Sequence, residues 1–254
     1  MCLIFLSLNN HPSYKLIVAA NRDEFYQRQT APADFWADQP NIVAGRDLEA
    51  SGTWMGMNKN GRISMVTNYR DLKNLKQQAP SRGALVSDYL IGEELPETYL
   101  KKIEPQASAY NGFNLLVGDS NELYYLSNYK EGVHRLEKGI HGLSNALLNT
   151  PWPKVERGKQ NFEQVIKHSV IDANQLFELL RDEQRSPDEK LPDTGVGLER
   201  ERMLSSMFIK SPNYGTRCST VLLVDKQHQV TYMERVYDLQ TFDFTTRTFT
   251  FSLV

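Results

Sequence analysis

The sequence is poor in cysteine and histidine, which limits the metal and disulfide chemistry open to it. Of 254 residues, two are cysteine, Cys2 and Cys218, and five are histidine. The histidines have neither the i, i+4 spacing of a helical zinc site nor a Cys-x-x-Cys element to accompany them. We therefore expect no bound metal, and in a reducing cytosol we expect no disulfide.

Long apolar runs are also missing. The longest, such as Leu115–Val117 and Val221–Val224, fall far short of the roughly 20 residues that cross a bilayer. The first residues, Met-Cys-Leu-Ile-Phe-Leu-Ser-Leu, lack the basic region and the small-residue cleavage site of a signal peptide. These features predict a cytoplasmic protein with no integral membrane span.

The chain has little net charge. Its 29 basic and 31 acidic side chains give a formal charge of -2, so no overall field attracts a polyanion, and we expect no nucleic-acid partner. With 40% hydrophobic residues, the composition is that of a globular protein, and the length fits one domain over residues 1–254.

The hydrophobic pattern predicts mostly strands. Two apolar runs, Cys2–Leu8 and Tyr14–Ala20, form a first hairpin, and Thr53–Met57 and Arg62–Thr67 form a second around the Asn-Gly turn that ends at Gly61. Further strands are predicted at Phe113–Val117, Leu123–Ser127, Gly132–Leu136, Ser219–Val224, Val230–Val236 and Thr248–Leu253.

Helices are fewer and lie in the middle of the chain. They are predicted after Ser81, from Pro96 to Ile103, after Pro153, and after Asp172, whose partner Gln175 fits a capping box. The polar segment 182–202 is predicted to be a mobile loop that leads into a short helix near residues 203–208. The order predicts an α+β protein with mostly antiparallel sheets, and the absence of a glycine-rich phosphate loop disfavours a Rossmann fold.

Cys2 is the most informative single residue. If Met1 is removed, Cys2 carries a thiol and a free α-amino group, which can serve as nucleophile and base. Their reference pKa values, about 8.5 and 7.7–8.0, leave both groups partly deprotonated near neutrality. The alternative is a small apolar residue in an edge strand.

A run of polar residues, Asn21-Arg22-Asp23-Glu24, ends the second predicted strand. Antiparallel pairing brings the end of this strand beside Cys2, and we expect the charges and the α-amine together to lower the pKa of the thiol. The alternative is a solvated turn in which Arg22 and Asp23 pair with each other.

With Met-Cys at its start and Asn21-Arg22-Asp23-Glu24 in the second strand, the sequence resembles the NRDE family, which includes the transport and Golgi organisation protein 2 homologues. The resemblance spans nearly the whole chain and continues through seven further motifs, which lie at residues 52–54, 58–61, 67–70, 81–83, 141–145, 150–154 and 216–220.

The resemblance implies a four-layer αββα sandwich of the N-terminal-nucleophile hydrolase type, similar to choloylglycine hydrolases and penicillin acylases. It also implies catalytic roles. Arg22 with Asp23 or Glu24 would orient Cys2, and Asn68 would donate a hydrogen bond to the oxyanion. Two further residues complete the implied set, Asn145, which would keep the α-amine neutral, and Arg217.

Five residues are candidates for substrate binding: Asn21, Glu24, Trp54, Tyr69 and Trp152. Simpler explanations stay open for many candidates. The aromatic residues are typical core residues, Asn68 and Asn145 fit turns or caps, and Arg217 could pair with Asp225 or Glu234. His141 and Cys218 fit buried positions without reactivity.

Three functions are consistent with these features. The first is a cysteine hydrolase or acyltransferase acting on an amide or thioester of a small molecule through an acyl-Cys2 intermediate, with no cofactor required. The second is a non-catalytic binding or trafficking protein for haem or an acyl lipid, in which Cys2 is unreactive or a soft iron ligand. The third is a degenerate hydrolase fold kept for protein contacts.

Overall fold

The computed structural model describes residues 2–254, so the expected removal of Met1 lies outside the described residues. The strands are β1 (Cys2–Leu8), β2 (Tyr14–Phe25), β3 (Thr30–Trp36), β4 (Gln39–Asp47), β5 (Met55–Asn58), β6 (Ile63–Asn68), β7 (Phe113–Gly118), β8 (Leu123–Ser127), β9 (Lys130–Arg135), β10 (Gly139–Leu143), β11 (Tyr214–Asp225), β12 (Gln229–Tyr237) and β13 (Phe244–Ser252). The α-helices are α1 (Arg82–Ile91), α2 (Pro96–Ile103), α3 (Pro153–Ile166), α4 (Ala173–Leu180) and α5 (Leu198–Leu204).

The strands form two antiparallel sheets that pack face to face. The first sheet has the order β10-β1-β2-β11-β12-β13, and the second has the order β3-β4-β5-β6-β7-β8-β9. Alternate residues of each strand point between the sheets, where Ile4, Val18, Met65 and Leu222 belong to one buried cluster. This cluster is the central core.

Helices cover both outer faces. Helices α1 and α2 pack on the second sheet through Val86 and Leu100, and α3 and α4 pack on the first sheet through Phe162 and Leu176. The architecture is therefore a four-layer αββα sandwich, and the predicted α+β fold is confirmed. No helix within residues 2–254 is long and apolar enough to cross a membrane.

The first hairpin, the helix from Pro96 and most of the later strands lie where the sequence predicts them. The prediction missed β3, β4 and β10. It also placed the short helix near 203–208, whereas α5 begins at Leu198 and ends at Leu204. The expected capping box is absent at the start of α4, because the Asp172 carboxylate accepts the N–H of Asn174.

Candidate functional site

The strand register decides which polar residue faces Cys2. Cys2 lies opposite Arg22 across β1 and β2, and Arg22 lies opposite Cys218 on β11. These three residues share the face of the sheet that carries Ile4 and Ala20 into the inter-sheet core. Strand alternation turns the neighbours of Arg22 toward the helix layer. Arg22 is therefore the residue of the charged run that is paired with Cys2.

Cys2 is half-buried and lines a cleft of about 350 Å³ at the end of the sandwich. The cleft is formed by the ends of β1 and β2, the segment before β5, the end of β6 and the start of α1. Its polar and aromatic lining residues include Arg22, Asp23, Glu24, Arg28, Asp47, Thr53, Trp54, Asn68, Ser81 and Arg82. Five of the predicted site residues thus share this cleft with Cys2.

Arg22 is only 5% exposed, although it carries a charge. Its guanidinium stacks 4.2 Å from the centre of the Trp54 ring, and one nitrogen lies 3.9 Å from the Asp47 carboxylate. Asp47 itself is held by Arg28 at 2.6 Å and by the backbone N–H groups of Glu49 and Ala50. The Arg22 guanidinium thus lies between the Trp54 ring and the Asp47 carboxylate, and that carboxylate makes its shorter contacts with other groups.

The thiol environment differs from the prediction. Burial raises the pKa of the Cys2 thiol, and the carboxylates of Asp23 and Glu24 add to this effect, whereas Arg22 lowers the pKa. The charged run by itself therefore does not lower this pKa, because desolvation and the two carboxylates outweigh Arg22. The part of the expectation that rests on a free α-amine of Cys2 stays a prediction. Cys218 is buried, as predicted, and burial raises its pKa well above the usual value.

Asp23 sits in a buried polar environment on the helix side of β2. Its carboxylate accepts the hydroxyl of Thr216 at 2.7 Å, and the Tyr214 hydroxyl donates to its backbone carbonyl at 3.2 Å. Burial raises the pKa of Asp23, and Lys154 is among the groups that oppose this. Lys154 donates to the carbonyl of Leu204 at 2.8 Å, and burial lowers the pKa of its amine to about 8.

Asn68 ends β6 at the cleft, and its side-chain amide makes no hydrogen bond with any of residues 2–254. Its backbone carbonyl accepts the side-chain amide of Asn145 at 2.9 Å. Asn145 is itself buried and lies behind Asn68 rather than among the residues that line the cleft. The structure therefore places Asn68 in the same cleft as Cys2, whereas Asn145 supports the backbone of Asn68.

Arg217 lies outside the cleft. One of its nitrogens donates to the carbonyls of Phe25 and Arg28, so neither Asp225 nor Glu234 is its partner. It lines a separate cavity of about 90 Å³ together with Cys218 and Glu234. The structure does not bring Arg217 to Cys2.

Three of the residues proposed for substrate binding also lie elsewhere. Asn21 is buried and donates to the carbonyls of Leu180 and Met207, which fixes the helix layer on β2. Tyr69 stacks on Tyr129 with 3.8 Å between ring centres. Trp152 is the N-cap of α3, its ring lies 4.9 Å from the Arg70 guanidinium, and it is not among the residues that line the cleft. The other two, Glu24 and Trp54, line the cleft.

Sequence reasoning missed Arg28, Asp47 and Arg82 as cleft residues. Arg82 belongs to the Ser81-Arg82-Gly83 motif, which lies next to the Gly52-Thr53-Trp54 motif in the fold, whereas Arg28 and Asp47 belong to no motif that the sequence singled out. A Cβ atom on Gly52 would lie 2.4 Å from the backbone of Gly83, so the two motifs meet by backbone contact that requires glycine. Within the described residues there is no group of three or more His, Cys, Asp and Glu that could hold a metal ion.

Comparison with known proteins gives one family. Residues 1–239 match the model of the family Transport and Golgi organisation 2. The chain is 38% identical to the human Transport and Golgi organization protein 2 homolog, covering 100% of this chain and 99% of the relative. It is 30% identical to Transport and Golgi organization protein 2 of Drosophila melanogaster, with 92% and 91% covered.

A solved structure has a similar fold at low sequence identity. It is the conjugated bile acid hydrolase of Clostridium perfringens, in a variant with alanine in place of a cysteine at its second position. The TM-score is 0.51 at 9% identity, covering 100% of this chain and 92% of that chain. The likeness is one of fold, and it agrees with the four-layer αββα sandwich that the resemblance in sequence implied.

Proposed function

The chain belongs to the Transport and Golgi organisation 2 family, and from the cleft around Cys2 we propose that it is an N-terminal-nucleophile enzyme. In this proposal it hydrolyses or transfers the acyl group of a small amide or thioester. It acts in the cytoplasm as one domain over residues 1–254 and requires no cofactor. The observation that carries the proposal is the shared cleft of Cys2, Arg22 and Asn68.

The reaction proceeds in two steps. Cys2 sulfur attacks the acyl carbon while its proton passes to the α-amine, which Met1 removal frees. The C–N or C–S bond of the substrate then breaks, and the leaving amine or thiol takes that proton. Water, or an acceptor alcohol or amine, attacks the acyl-Cys2 thioester, which releases the acyl product and restores the thiol.

The neighbouring residues have distinct tasks in this scheme. Arg22 favours the thiolate by its charge, since it lowers the pKa of Cys2 against the effect of burial. The Asn68 amide, which has no hydrogen-bond partner among residues 2–254, donates to the oxyanion of the tetrahedral intermediate. Asp23 is buried on the other face of β2 and would hold the α-amine.

Mass spectrometry tests the proposal directly. The intact mass of the native protein reports whether Met1 is absent. Incubation with short-chain acyl thioesters of N-acetylcysteamine should then add one acyl group to the Cys2 peptide. Cys2→Ala should abolish this adduct, and Cys218→Ala, the matched control, should retain it. Retention of Met1 in the native protein, or no adduct with any thioester, would refute the enzyme.

Binding of haem or an acyl lipid as cargo is a second proposal. It is favoured by a cysteine sulfur, a soft ligand for haem iron, next to Arg22 and Arg82, which could pair with carboxylates. In that case Cys2 binds the haem or lipid, and the protein catalyses no reaction. The described residues that line the cleft include no histidine to act as an iron ligand.

A further inference from the structure

Helix α1 begins at the wall of the cleft. Ser81, Arg82 and Gly83, the N-cap and first two residues of this helix, line the cleft together with Cys2. The Ser81 side chain makes no capping hydrogen bond within the described chain, and the first turn contains no acidic residue. The partial positive charge of the helix N-terminus is thus directed at the cleft without a side chain to offset it.

Arg22 provides an independent observation on the same cleft. Its guanidinium is almost fully buried and makes no hydrogen bond with any of residues 2–254; its nearest carboxylate atom, on Asp47, is 3.9 Å away. A buried guanidinium ordinarily uses its five donors on acceptors. Arg22 lines both the cleft and the smaller cavity beside Glu234, so its donors are open to an acceptor that enters the cleft.

The acidic residues of the cleft have other partners. Asp47 binds Arg28 and two backbone N–H groups, and Glu24 accepts the N–H of Phe25 at 2.9 Å. Asp23 accepts the hydroxyl of Thr216. Neither Arg22 nor Arg82 has a carboxylate within hydrogen-bond distance in the described residues.

The wall that carries Arg82 is rigid. One Arg82 nitrogen donates to the carbonyl of Gly112 at 2.9 Å, and the N–H of Thr53 donates to the carbonyl of Gly83 at 3.3 Å. The close contact of Gly52 with Gly83 prevents the helix start from moving toward the second sheet. Donors held in place before a ligand arrives lose little entropy when it binds.

We propose that the N-terminus of α1, with Arg82 and Arg22, is an anion subsite, so that the acyl compound handled at Cys2 carries a carboxylate or a phosphate. That the ligand is an acyl compound rests on the proposed function. That the ligand carries a negative charge rests on the helix N-terminus and the two arginines. Planar guanidinium groups and helix N-terminal N–H groups both match the oxygens of carboxylates and phosphates.

Two alkylating agents of similar size test the subsite without any turnover. Iodoacetate is an anion and iodoacetamide is neutral, and both label cysteine. We expect the ratio of their rates at Cys2, at pH 7.5, to exceed the ratio for free cysteine by about tenfold. Labelling by iodoacetate should saturate with concentration. Inorganic phosphate or glutarate should protect Cys2, and the stronger competitor distinguishes a phosphate from a carboxylate ligand.

Variants assign the effect to the subsite. Arg82→Met should lower the ratio several-fold toward that of free cysteine, since only the helix N-terminus and Arg22 then remain, and Arg82→Lys should retain more of it. Arg135→Met, at an exposed arginine on β9, is the matched control and should leave the ratio unchanged. If Arg82→Met does not fold, the native protein alone tests the subsite. Iodoacetate labelling that does not saturate, and that phosphate and glutarate do not slow, then overturns it. A native ratio equal to that of free cysteine, or one that Arg82→Met leaves intact, overturns the subsite.

The labelling result is separate from the acyl transfer result. An anion preference at Cys2 without an acyl adduct would support the anion subsite and contradict the proposed enzymatic activity. An acyl adduct without an anion preference would keep the enzyme and reject the subsite.

Discussion

Cys2 and Arg22 are directly paired across β1 and β2, on the face of the sheet that meets the cleft. Two strands further along the same row lies Cys218, which is buried and faces the neighbouring cavity. The chain thus contains two thiols in one row of the sheet, one that opens to a cleft and one that does not. This difference can be measured.

Iodoacetamide should label Cys2 well before Cys218 at neutral pH. Cys2 is half-buried and Arg22 favours its thiolate, whereas the pKa of Cys218 is raised well above its usual value by burial and by Glu234. Peptide mass spectrometry after timed quenching gives both rates. Equal, slow labelling of the two thiols would remove the argument that the site favours the Cys2 thiolate.

Replacing Arg22 by Met should slow the alkylation of Cys2 at pH 7.5 by about three- to tenfold. The substitution removes a cation whose charge opposes the effect of desolvation, so the pKa of the thiol rises further. The pH dependence of the labelling rate reports this pKa. Arg135→Met removes an exposed arginine elsewhere and serves as the control; an unchanged pH profile in Arg22→Met would show that Arg22 does not act on the thiol.

Asn68→Ala and Asn145→Ala should affect different properties of the protein, the first its turnover and the second its stability. The Asn68 amide has no hydrogen-bond partner in the described part of the chain. Its removal should therefore lower kcat by about 10²–10³, with little change in KM, in any turnover assay that the acyl probes establish. Asn145 is buried and supports the carbonyl of Asn68, so its removal should cost about 1–3 kcal/mol of stability.

Thermal melts and kinetics on both variants decide between the two roles. A large loss of Tm in Asn68→Ala with kcat intact would show that Asn68 is a turn residue and not an oxyanion donor. A full loss of kcat in Asn145→Ala with unchanged Tm would give Asn145 the catalytic role that the family resemblance implies.

The fold and the pairing at Cys2 could be predicted from the sequence for a simple reason. The apolar runs Cys2–Leu8 and Tyr14–Ala20 are local and continuous, and one short turn fixes their register. Strands β3 and β4 were missed because Pro32, Pro40 and several polar residues interrupt their pattern.

The rest of the site depends on contacts distant in sequence. Arg82 reaches the cleft only because Gly52 and Gly83 allow two backbones to meet, and no local pattern encodes that contact. Asn145 and Arg217 were assigned from motif position alone, and the structure places both away from Cys2. The sign of the Cys2 pKa shift depends on burial, which the charged run does not reveal.

Haem titration tests the cargo proposal. If Cys2 binds haem iron, haem should give a saturable Soret shift that Cys2→Ala abolishes and Cys218→Ala leaves intact. The described lining of the cleft contains no histidine, so loss of the shift should follow Cys2 alone. A shift that persists in Cys2→Ala would indicate adsorption elsewhere on the protein.

Glu234 should make the stability of the fold depend on pH. It is fully buried beside Cys218, and one carboxylate oxygen accepts the N–H of Ala33 at 2.6 Å. Burial raises its pKa to about 7. The folded protein therefore keeps a proton on this carboxyl that the unfolded chain, with the ordinary value of 4.5, loses first. The stability that this proton provides is complete below pH 4.5 and is lost as the pH rises through 7.

Glu234→Gln keeps the shape and the acceptor for Ala33 without the charge. The free energy of unfolding of the variant should match that of the native protein most closely near pH 4.5. Toward pH 8 it should exceed the native value by about 3 kcal/mol, since each pKa unit corresponds to about 1.4 kcal/mol. Urea unfolding at pH 5 and pH 8 measures the difference. Glu178→Gln, at a carboxylate 67% exposed on α4, is the control and should follow the native pH dependence. If Glu234→Gln follows that dependence too, Glu234 is ionised in the folded state across this range, because a nearby cation such as Arg22 or Arg247 then compensates its burial.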